Sequence, residues 1–259
     1  MKSPNFKTTR VVLAATAVSI AAISCVTMER VMVAPPMIPG AKYVGMDTCA
    51  VCHEKQARDF KLTSHARIHI PNEKVQGQGC ESCHGPGSLH AESEGKKPGL
   101  IMNPGKSPGA CFQCHLDKNA QFSLPSHHPV KEGRMSCSDC HDSHGEDIHK
   151  SKGTLVARVN DRCAQCHREQ TRPHVHEHEA LREGCTTCHE VHGSFNNKML
   201  VQRDNNLCLK CHAQVSAAPG AGVLMGTVPH TGRLSQGTCF SAGCHTAVHG
   251  SDLYRNLQF

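Results

Sequence analysis

The feature that most constrains this chain is a cysteine–cysteine–histidine motif that recurs from residue 49 to residue 245. Seven copies read C-x-x-C-H, and an eighth has four residues between its cysteines. Together they use every cysteine of the sequence except Cys25. The copies are Cys49/Cys52/His53, Cys80/Cys83/His84, Cys111/Cys114/His115, Cys137/Cys140/His141, Cys163/Cys166/His167, Cys185/Cys188/His189, Cys208/Cys211/His212 and Cys239/Cys244/His245.

This motif is the attachment signature of c-type haem. The two thiols form thioethers with the porphyrin, and the adjacent histidine becomes the proximal ligand of the iron. Zinc ribbons pair C-x-x-C units without a histidine after each one, and redox C-x-x-C motifs occur singly. Disulfides do not require histidine at a fixed place. The sequence therefore predicts eight covalently bound haem c groups, the last one through the longer C-x4-C-H spacing.

The composition indicates how such a chain folds. Its 259 residues include no Trp, 2 Tyr and 7 Phe, although aromatic side chains usually supply much of a protein core. Less than 32 residues separate the starts of successive motifs, too few to wrap each haem in a domain of its own. We expect a multihaem cytochrome c, mostly coil and short helices wrapped around a closely packed, elongated row of eight haems. Helices are predicted near 47–61 and 206–215, loops at 95–109 and 214–237, and no strand pattern stands out.

The second axial ligand of each iron decides between electron transfer and an open, substrate-binding site. Thirteen histidines lie outside the motifs, more than eight bis-histidine sites require. The segments 127–145 and 178–193 form an internal repeat in which His127 matches His178 and His144 matches His192. His144 and His192 follow a proximal histidine too closely to reach the other face of the same haem, so each is expected to bind the next one. The predicted distal ligands are His65, His90, His127, His144, His178, His192, His230 and His249.

Two of these assignments leave a neighbouring histidine as the alternative: His128 instead of His127, and His176 instead of His178. The histidines left over are interpreted as solvated or second-shell residues. They are His69, His128, His149, His174 and His176.

The N-terminal segment has the pattern of an export signal. Lys2, Lys7 and Arg10 precede an apolar run at 11–23, which is too short to span a bilayer and typical of a signal-peptide core. The run ends at Cys25 in a sequence similar to a bacterial lipobox, which predicts lipidation of Cys25; cleavage nearby without a lipid is the alternative. The predicted organisation is a signal peptide at 1–24, a lipidated N-terminus and tether at 25–42 and an octahaem domain at 43–259.

The charge does not indicate a nucleic-acid partner. The chain is formally +6, but eight haems would add sixteen propionate carboxylates. Many Lys and Arg side chains are therefore expected to pair with propionates.

The ordered series "CESCHGPGSLH", "CSDCHDSHG", "CTTCHEVHGS" and "GCHTAVHGS" resembles the MtrA/PioA/DmsE family of multihaem cytochromes over nearly the whole mature chain. The resemblance implies a periplasm-facing electron conduit with bis-histidine haems in an elongated wire. It also implies three partners: an outer-membrane β-barrel porin, an extracellular multihaem cytochrome and a periplasmic cytochrome donor. Members usually carry ten haems, and the count here is more similar to the octahaem component of a porin–cytochrome complex in metal-reducing bacteria.

The leading hypothesis is thus an electron-transfer protein at the periplasmic face of the outer membrane, not an enzyme. A soluble periplasmic shuttle or a filament-forming cytochrome is the alternative. An octahaem reductase of nitrite, hydroxylamine or a sulfur oxyanion is a third hypothesis, and it needs at least one iron with an open distal face.

Overall fold

A computed structural model describes residues 38–67, 79–145, 155–215, 222–225, 228–230, 232–241 and 243–259. The chain divides into two units, Met1–Val33 and Ala34–Phe259, and the description concerns the second. The predicted signal segment and Cys25 lie outside the described residues. Within these ranges no helix has the length and apolar character needed to cross a membrane.

The helices of the described ranges are short and lie at or beside the cysteine motifs. In three places a proximal histidine separates the turn of its motif from the next helix: His53 (φ −114°, ψ 44°), His115 and His167 are the N-caps of the helices that follow them. The α-helices are α1 (Met46–Ala50), α2 (Glu54–Phe60), α3 (Glu81–His84), α4 (Ser88–Glu92), α5 (Gly109–Phe112), α6 (Leu116–Gln121), α7 (Leu155–Ala164), α8 (Arg168–Thr171) and α9 (Asn205–His212). The 3₁₀ helices are His65–Arg67, Pro98–Leu100, Pro104–Lys106, Cys137–Asp139, Glu179–Glu183, Cys185–Thr187 and Asn197–Met199.

Seven very short strands join distant parts of the described chain. They are β1 (Ser126–His127), β2 (His176–Glu177), β3 (Gly193–Ser194), β4 (Gln214–Val215), β5 (Val223–Met225), β6 (Val228–Pro229) and β7 (Gly250–Ser251). All pairs are antiparallel: β1 with β3, β2 with β7, and β4-β5-β6 in one small sheet. The register places His127 opposite Gly193 and Glu177 opposite Gly250.

The described chain has little apolar core of its own. One buried cluster contains Phe112, Phe122 and Val130, with Met135 and Cys137 packed against it. Large apolar side chains such as Val51 and Phe195 are about as exposed as in an unfolded chain, at 83% and 80%.

The prediction of coil and short helices is confirmed, but several details differ. The single helix expected at 47–61 is two helices, because the motif turn ends at His53. The helix near 206–215 is α9, which begins at Asn205 and ends at His212. Strands are present although none was expected, because each is only two or three residues long and carries no alternating pattern. The segments expected to be loops contain two 3₁₀ helices at Pro98–Leu100 and Pro104–Lys106, and strands β4, β5 and β6.

Gly193 tests whether these short strands hold the fold together. A Cβ atom at this position would lie 2.1 Å from the backbone oxygen of Gln121, so the β1–β3 pair could not close as it does. We expect Gly193→Ala to lower the free energy of unfolding by about 2 kcal/mol or more, seen as a lower midpoint in thermal unfolding followed by circular dichroism. Gly99→Ala is the matched control, because nothing lies within 4 Å of its Cβ position; equal midpoints for the two variants would contradict the prediction.

Candidate functional site

Each motif forms one tight turn that brings its histidine back to its first cysteine. The backbone N–H of His53 donates to the carbonyl of Cys49 at 2.9 Å, and five further C-x-x-C-H copies show the same bond at 2.9–3.0 Å. In the eighth motif the N–H of His245 donates to the carbonyl of Cys239 at 3.0 Å. The longer motif therefore closes on its first cysteine as the others do, although two more residues lie between its cysteines.

The sixteen motif cysteines form no disulfides, and each proximal histidine faces a second histidine across a gap. The centres of the paired rings are 5.9–6.4 Å apart. We number the sites 1 to 8 in the order of their motifs. They are His53–His90, His84–His144, His115–His65, His141–His192, His167–His128, His189–His249, His212–His178 and His245–His230.

The two cysteines of a motif differ in how far the chain covers them, a difference that the sequence did not indicate. Every first cysteine is partly buried, including Cys49 and Cys239 of the first and last motifs. Cys52 and Cys244, the second cysteines of these two motifs, are exposed instead, and Cys140, Cys166 and Cys211 are exposed as well. The polypeptide therefore does not enclose all the predicted attachment cysteines. The thioethers assigned to Cys52 and Cys244 stay predictions, and both side chains remain accessible to a porphyrin lying outside the motif turn.

The spacing of the paired rings fits haem iron. An imidazole nitrogen binds a transition metal at about 2.0 Å, and its ring centre lies about 1.1 Å farther along the bond, so two axial imidazoles have centres about 6.2 Å apart. The ring centres of two histidines in direct stacking contact would be closer together than this. Among the described residues no group of three or more His, Cys, Asp or Glu could hold a single metal ion.

Backbone carbonyls orient many of the rings. The Nδ1 atom of His178 lies 2.9 Å from the carbonyl oxygen of Val248, and that of His245 lies 2.6 Å from the carbonyl oxygen of Asn256. An Nδ1–H that donates to such an acceptor fixes the tautomer and leaves Nε2 free to bind a metal. The same contact holds His84, His128, His189 and His230, and His192 uses the side-chain oxygen of Gln121.

Burial keeps several of these imidazoles neutral, the form that binds metals. It lowers the pKa of His192 to about 4, and it also lowers the pKa of His84 and of His249. His90 differs from the carbonyl-bound rings, because its Nδ1 atom is buried and has no hydrogen-bond partner. This ring is positioned by α4 and its packing.

The short strands place the distal histidines. His128 directly follows β1 and His192 directly precedes β3, so the β1–β3 pair fixes ligands for sites 5 and 4. The β2–β7 pair does the same with His178 and His249 for sites 7 and 6. His230 follows β6, and its backbone N–H donates to the carbonyl of Val223 at 2.9 Å.

Several sites take their second histidine from a segment two motifs away. His144, His192 and His249 each follow a proximal histidine closely, and each faces the proximal histidine of the motif two earlier. For His144 and His192 the sequence had indicated the next haem instead. At the two ends the pattern changes: site 1 pairs with His90 beside motif 2, and site 8 pairs with His230 just before its own motif.

The structure departs from the sequence-based assignment at His127. Its ring contacts the carbonyl of Leu124 and the carboxylate of Glu132, so both nitrogens have other partners. His128 points the opposite way and faces His167. The two repeats differ by one residue here, because the N–H of Val130 donates to the carbonyl of His128 in a tight turn, whereas a five-residue 3₁₀ helix follows His178.

The other predicted distal histidines, His65, His90, His144, His178, His192, His230 and His249, each lie opposite a proximal histidine. Of the leftover histidines, His174 is buried and lies 3.3 Å from Asp252, and His176 belongs to β2. His69 and His149 lie outside the described residues.

Neighbouring motifs along the chain are neighbours in space. A hydrogen bond between the thiols of Cys49 and Cys80 raises the pKa of Cys49 and lowers the pKa of Cys80 to about 7. Cys111 and Cys137 are paired in the same way. Burial and then the charge of Cys185 raise the pKa of Cys163 to about 11, and Cys208 and Cys239 repeat this arrangement. The second cysteines are within electrostatic range of each other between these pairs: the charges of Cys114, Cys166 and Cys211 raise the pKa of Cys83, Cys140 and Cys188, after the larger effect of burial. The eight sites therefore follow one another in chain order.

Comparisons with known proteins agree with this site. The family described as "Doubled CXXCH motif" matches residues 127–172 and 178–217. The multiheme cytochrome MtrA of Shewanella baltica is 29% identical over 80% of this chain and 79% of its own length. The C-type polyheme cytochrome OmcB of Geobacter sulfurreducens is 26% identical over 74% of this chain, but only 29% of its own length is matched.

A solved undecaheme cytochrome from the S-layer of Carboxydothermus ferrireducens is 18% identical and covers 74% of this chain and 35% of its own, with a TM-score of 0.18. That score is too low to indicate a common backbone arrangement. The motifs and the sequence relatives define the class: the chain is a multihaem c-type cytochrome, which binds haem covalently and transfers electrons. Within that class, the similarity to MtrA extends over most of both chains.

The pair His127 and His128 gives a direct test of the ring geometry. We expect His128→Ala to convert one low-spin ferric haem to high spin, because His167 loses its opposite ring. His127→Ala is the matched control and should leave the low-temperature electron paramagnetic resonance spectrum unchanged. The reverse result would assign the ligand to His127.

Proposed function

We propose that this chain is the periplasm-facing component of a porin–cytochrome conduit, in which eight bis-histidine haem c groups carry electrons between the periplasm and the cell surface. The observation that carries the proposal is the set of eight histidine pairs, one for every motif, at the spacing of axial haem ligands. Bound haem supplies a one-electron ferric/ferrous couple at each site.

The chain's own residues determine how such a couple behaves. The sixteen motif cysteines hold each group by two thioethers, and the eight motif histidines are the proximal ligands. The distal ligands are His65, His90, His128, His144, His178, His192, His230 and His249. Because a histidine stands on both faces of every site, no position is left for a substrate, which favours electron transfer over catalysis. Two imidazoles without a methionine also favour a low potential.

The order of the sites supports a continuous path. Successive motifs interact alternately through their first cysteines, by a thiol hydrogen bond, and through the charges of their second cysteines. The ligand-bearing segments cross between sites, so that β1–β3 contributes to sites 4 and 5, and β2–β7 to sites 6 and 7. The proposed path therefore runs in chain order from motif 1 to motif 8.

The cellular setting rests on the N-terminal segment and on the likeness to MtrA. An export signal at 1–24 and lipidation at Cys25 would hold the chain at the periplasmic face of the outer membrane. The partners are then a β-barrel porin around the chain, an extracellular multihaem cytochrome as acceptor and a periplasmic cytochrome as donor. These are the partners of a conduit that works in metal reduction, and none is a nucleic acid.

Electron paramagnetic resonance of the oxidised protein, with haem quantified, tests the ligation. We expect eight haems per chain and low-spin ferric signals throughout. Six ring pairs are nearly parallel, at 12–26°, whereas His65–His115 and His128–His167 meet at 81° and 62°. Parallel planes give rhombic signals and steep planes give highly anisotropic ones, so six rhombic and two anisotropic components are expected. A stoichiometric high-spin signal would show an open iron and favour an octahaem reductase.

Reconstitution tests the conduit. The full chain, purified from its own membranes with whatever accompanies it, is placed in liposomes that enclose a redox dye. We expect a β-barrel protein in the preparation and reduction of the dye by dithionite added outside. The matched control is the His128→Ala variant, which should pass electrons more slowly because one site in the path is altered. A chain that purifies alone, or that assembles with itself into filaments, would favour the shuttle or the filament.

A further inference from the structure

Glu81 is a charged side chain at an unusual place. It lies between the two cysteines of motif 2, in the first turn of α3, and it is 1% exposed. A carboxylate is costly to bury unless hydrogen bonds satisfy it. The hydrogen-bond partners of the Glu81 carboxylate therefore indicate its role.

Three backbone amides hold this carboxylate. Its Oε1 atom accepts from the N–H of Gly87 at 2.9 Å and of Val44 at 3.0 Å, and Oε2 accepts from the N–H of Gly45 at 2.8 Å. Gly45 has φ +83°, a conformation that glycine adopts readily, and it turns two successive amides toward the same side chain. Amides carry no net charge, so these contacts leave the negative charge in place.

The three contacts join the segments that build the first two sites. Val44 and Gly45 directly precede α1, which carries Cys49, and Gly87 directly precedes α4, which carries His90. Glu81 itself belongs to motif 2. One side chain therefore connects both cysteine motifs and the distal histidine of site 1.

The negative charge of Glu81 affects the pKa of Cys49 and of Cys80, the first attachment cysteines of motifs 1 and 2. The pKa of Cys49 is raised by its hydrogen bond with Cys80, by burial and by the charge of Glu81. The pKa of Cys80 is lowered to about 7 by its bond with Cys49, while the charge of Glu81 acts in the opposite direction. The carboxylate thus lies within electrostatic range of the place where motifs 1 and 2 meet.

We propose that Glu81 is a positioning residue that fixes Cys49, Cys80 and His90 relative to one another, and that its buried charge lowers the reduction potential of sites 1 and 2. A negative charge stabilises the oxidised iron, which carries one more positive charge than the reduced iron, and burial limits screening by solvent. The inference rests on the proposed bis-histidine ligation of these sites. It identifies a residue that lowers the reduction potential at one end of the proposed path.

The test is a potentiometric titration of the holoprotein, followed by haem absorbance, for Glu81→Gln and for Glu92→Gln. Both changes remove one negative charge, but Glu92 is exposed and lies two residues from His90 in α4. We expect Glu81→Gln to shift two of the eight couples to higher potential, with haem content and low-spin signals unchanged. Glu92→Gln should leave the titration close to that of the wild type. Equal shifts in the two variants would overturn the proposal, because burial would then have no role.

Glu81→Asp separates charge from position. Aspartate keeps the charge but is too short to reach all three amides, so we expect potentials close to wild type and a lower thermal midpoint. If Glu81→Gln and Glu81→Asp both lost haem from motifs 1 and 2, Glu81 would be a folding residue and the proposed effect on potential would be wrong. The wild-type protein separates this proposal from the proposed function. If site 1 or site 2 had an open iron, the wild-type spectrum would contain a high-spin signal before any variant was compared.

Discussion

The structure depends on one interaction, which pairs two imidazole rings from different parts of the chain. The rings face each other across a gap, and a metal ion at its centre would lie about 2.0 Å from one nitrogen of each ring. Elsewhere a protein of this size would bury a hydrophobic core. Among the described residues the buried apolar cluster is three residues with two neighbours, and the ring pairs connect segments that are distant in the sequence. Site 2, for example, joins His84 to His144 across the full extent of motif 3. With the proposed ligation, these pairs would contribute long-range order that a hydrophobic core supplies in other proteins.

The backbone of the chain serves these rings. Such short strands are not stable by themselves, but β1, β2, β3, β6 and β7 each lie directly beside a distal histidine and fix its direction. Carbonyl oxygens then set the rotation of the rings, as Val191 does for His128 and Val248 does for His178. The glycines after His192 and His249 complete the arrangement, because a side chain at either would collide with Gln121 or His174. Small elements can achieve this because each orients one side chain.

Much of this arrangement could be predicted from the sequence, since covalent chemistry fixes the spacing within each motif. The attachment residues follow from that spacing, and most distal candidates follow from a count of histidines and their position near a motif. Choosing between His127 and His128 required more, because Pro129 and Val130 form a turn that shortens the first repeat by one residue. The helix expected at 47–61 was wrong for a related reason: the proximal histidine must leave helical geometry to present its ring. Which motif receives His144 or His192 depends on how segments cross in space, and no local pattern records it.

The crossing of ligands between sites has a consequence for how the protein is made. If the chain is exported from its N-terminus, as proposed, motif 2 emerges before His144, and motif 4 before His192. A haem attached early at motif 2 or motif 4 would therefore have one face uncovered until the segment that carries His144 or His192 is exported. Sites 2, 4 and 6 would then close late, each by a segment that lies two motifs further along the chain, whereas sites 3, 5, 7 and 8 take their second histidine from a segment that precedes their motif. The segment that carries His249 comes last and would complete site 6.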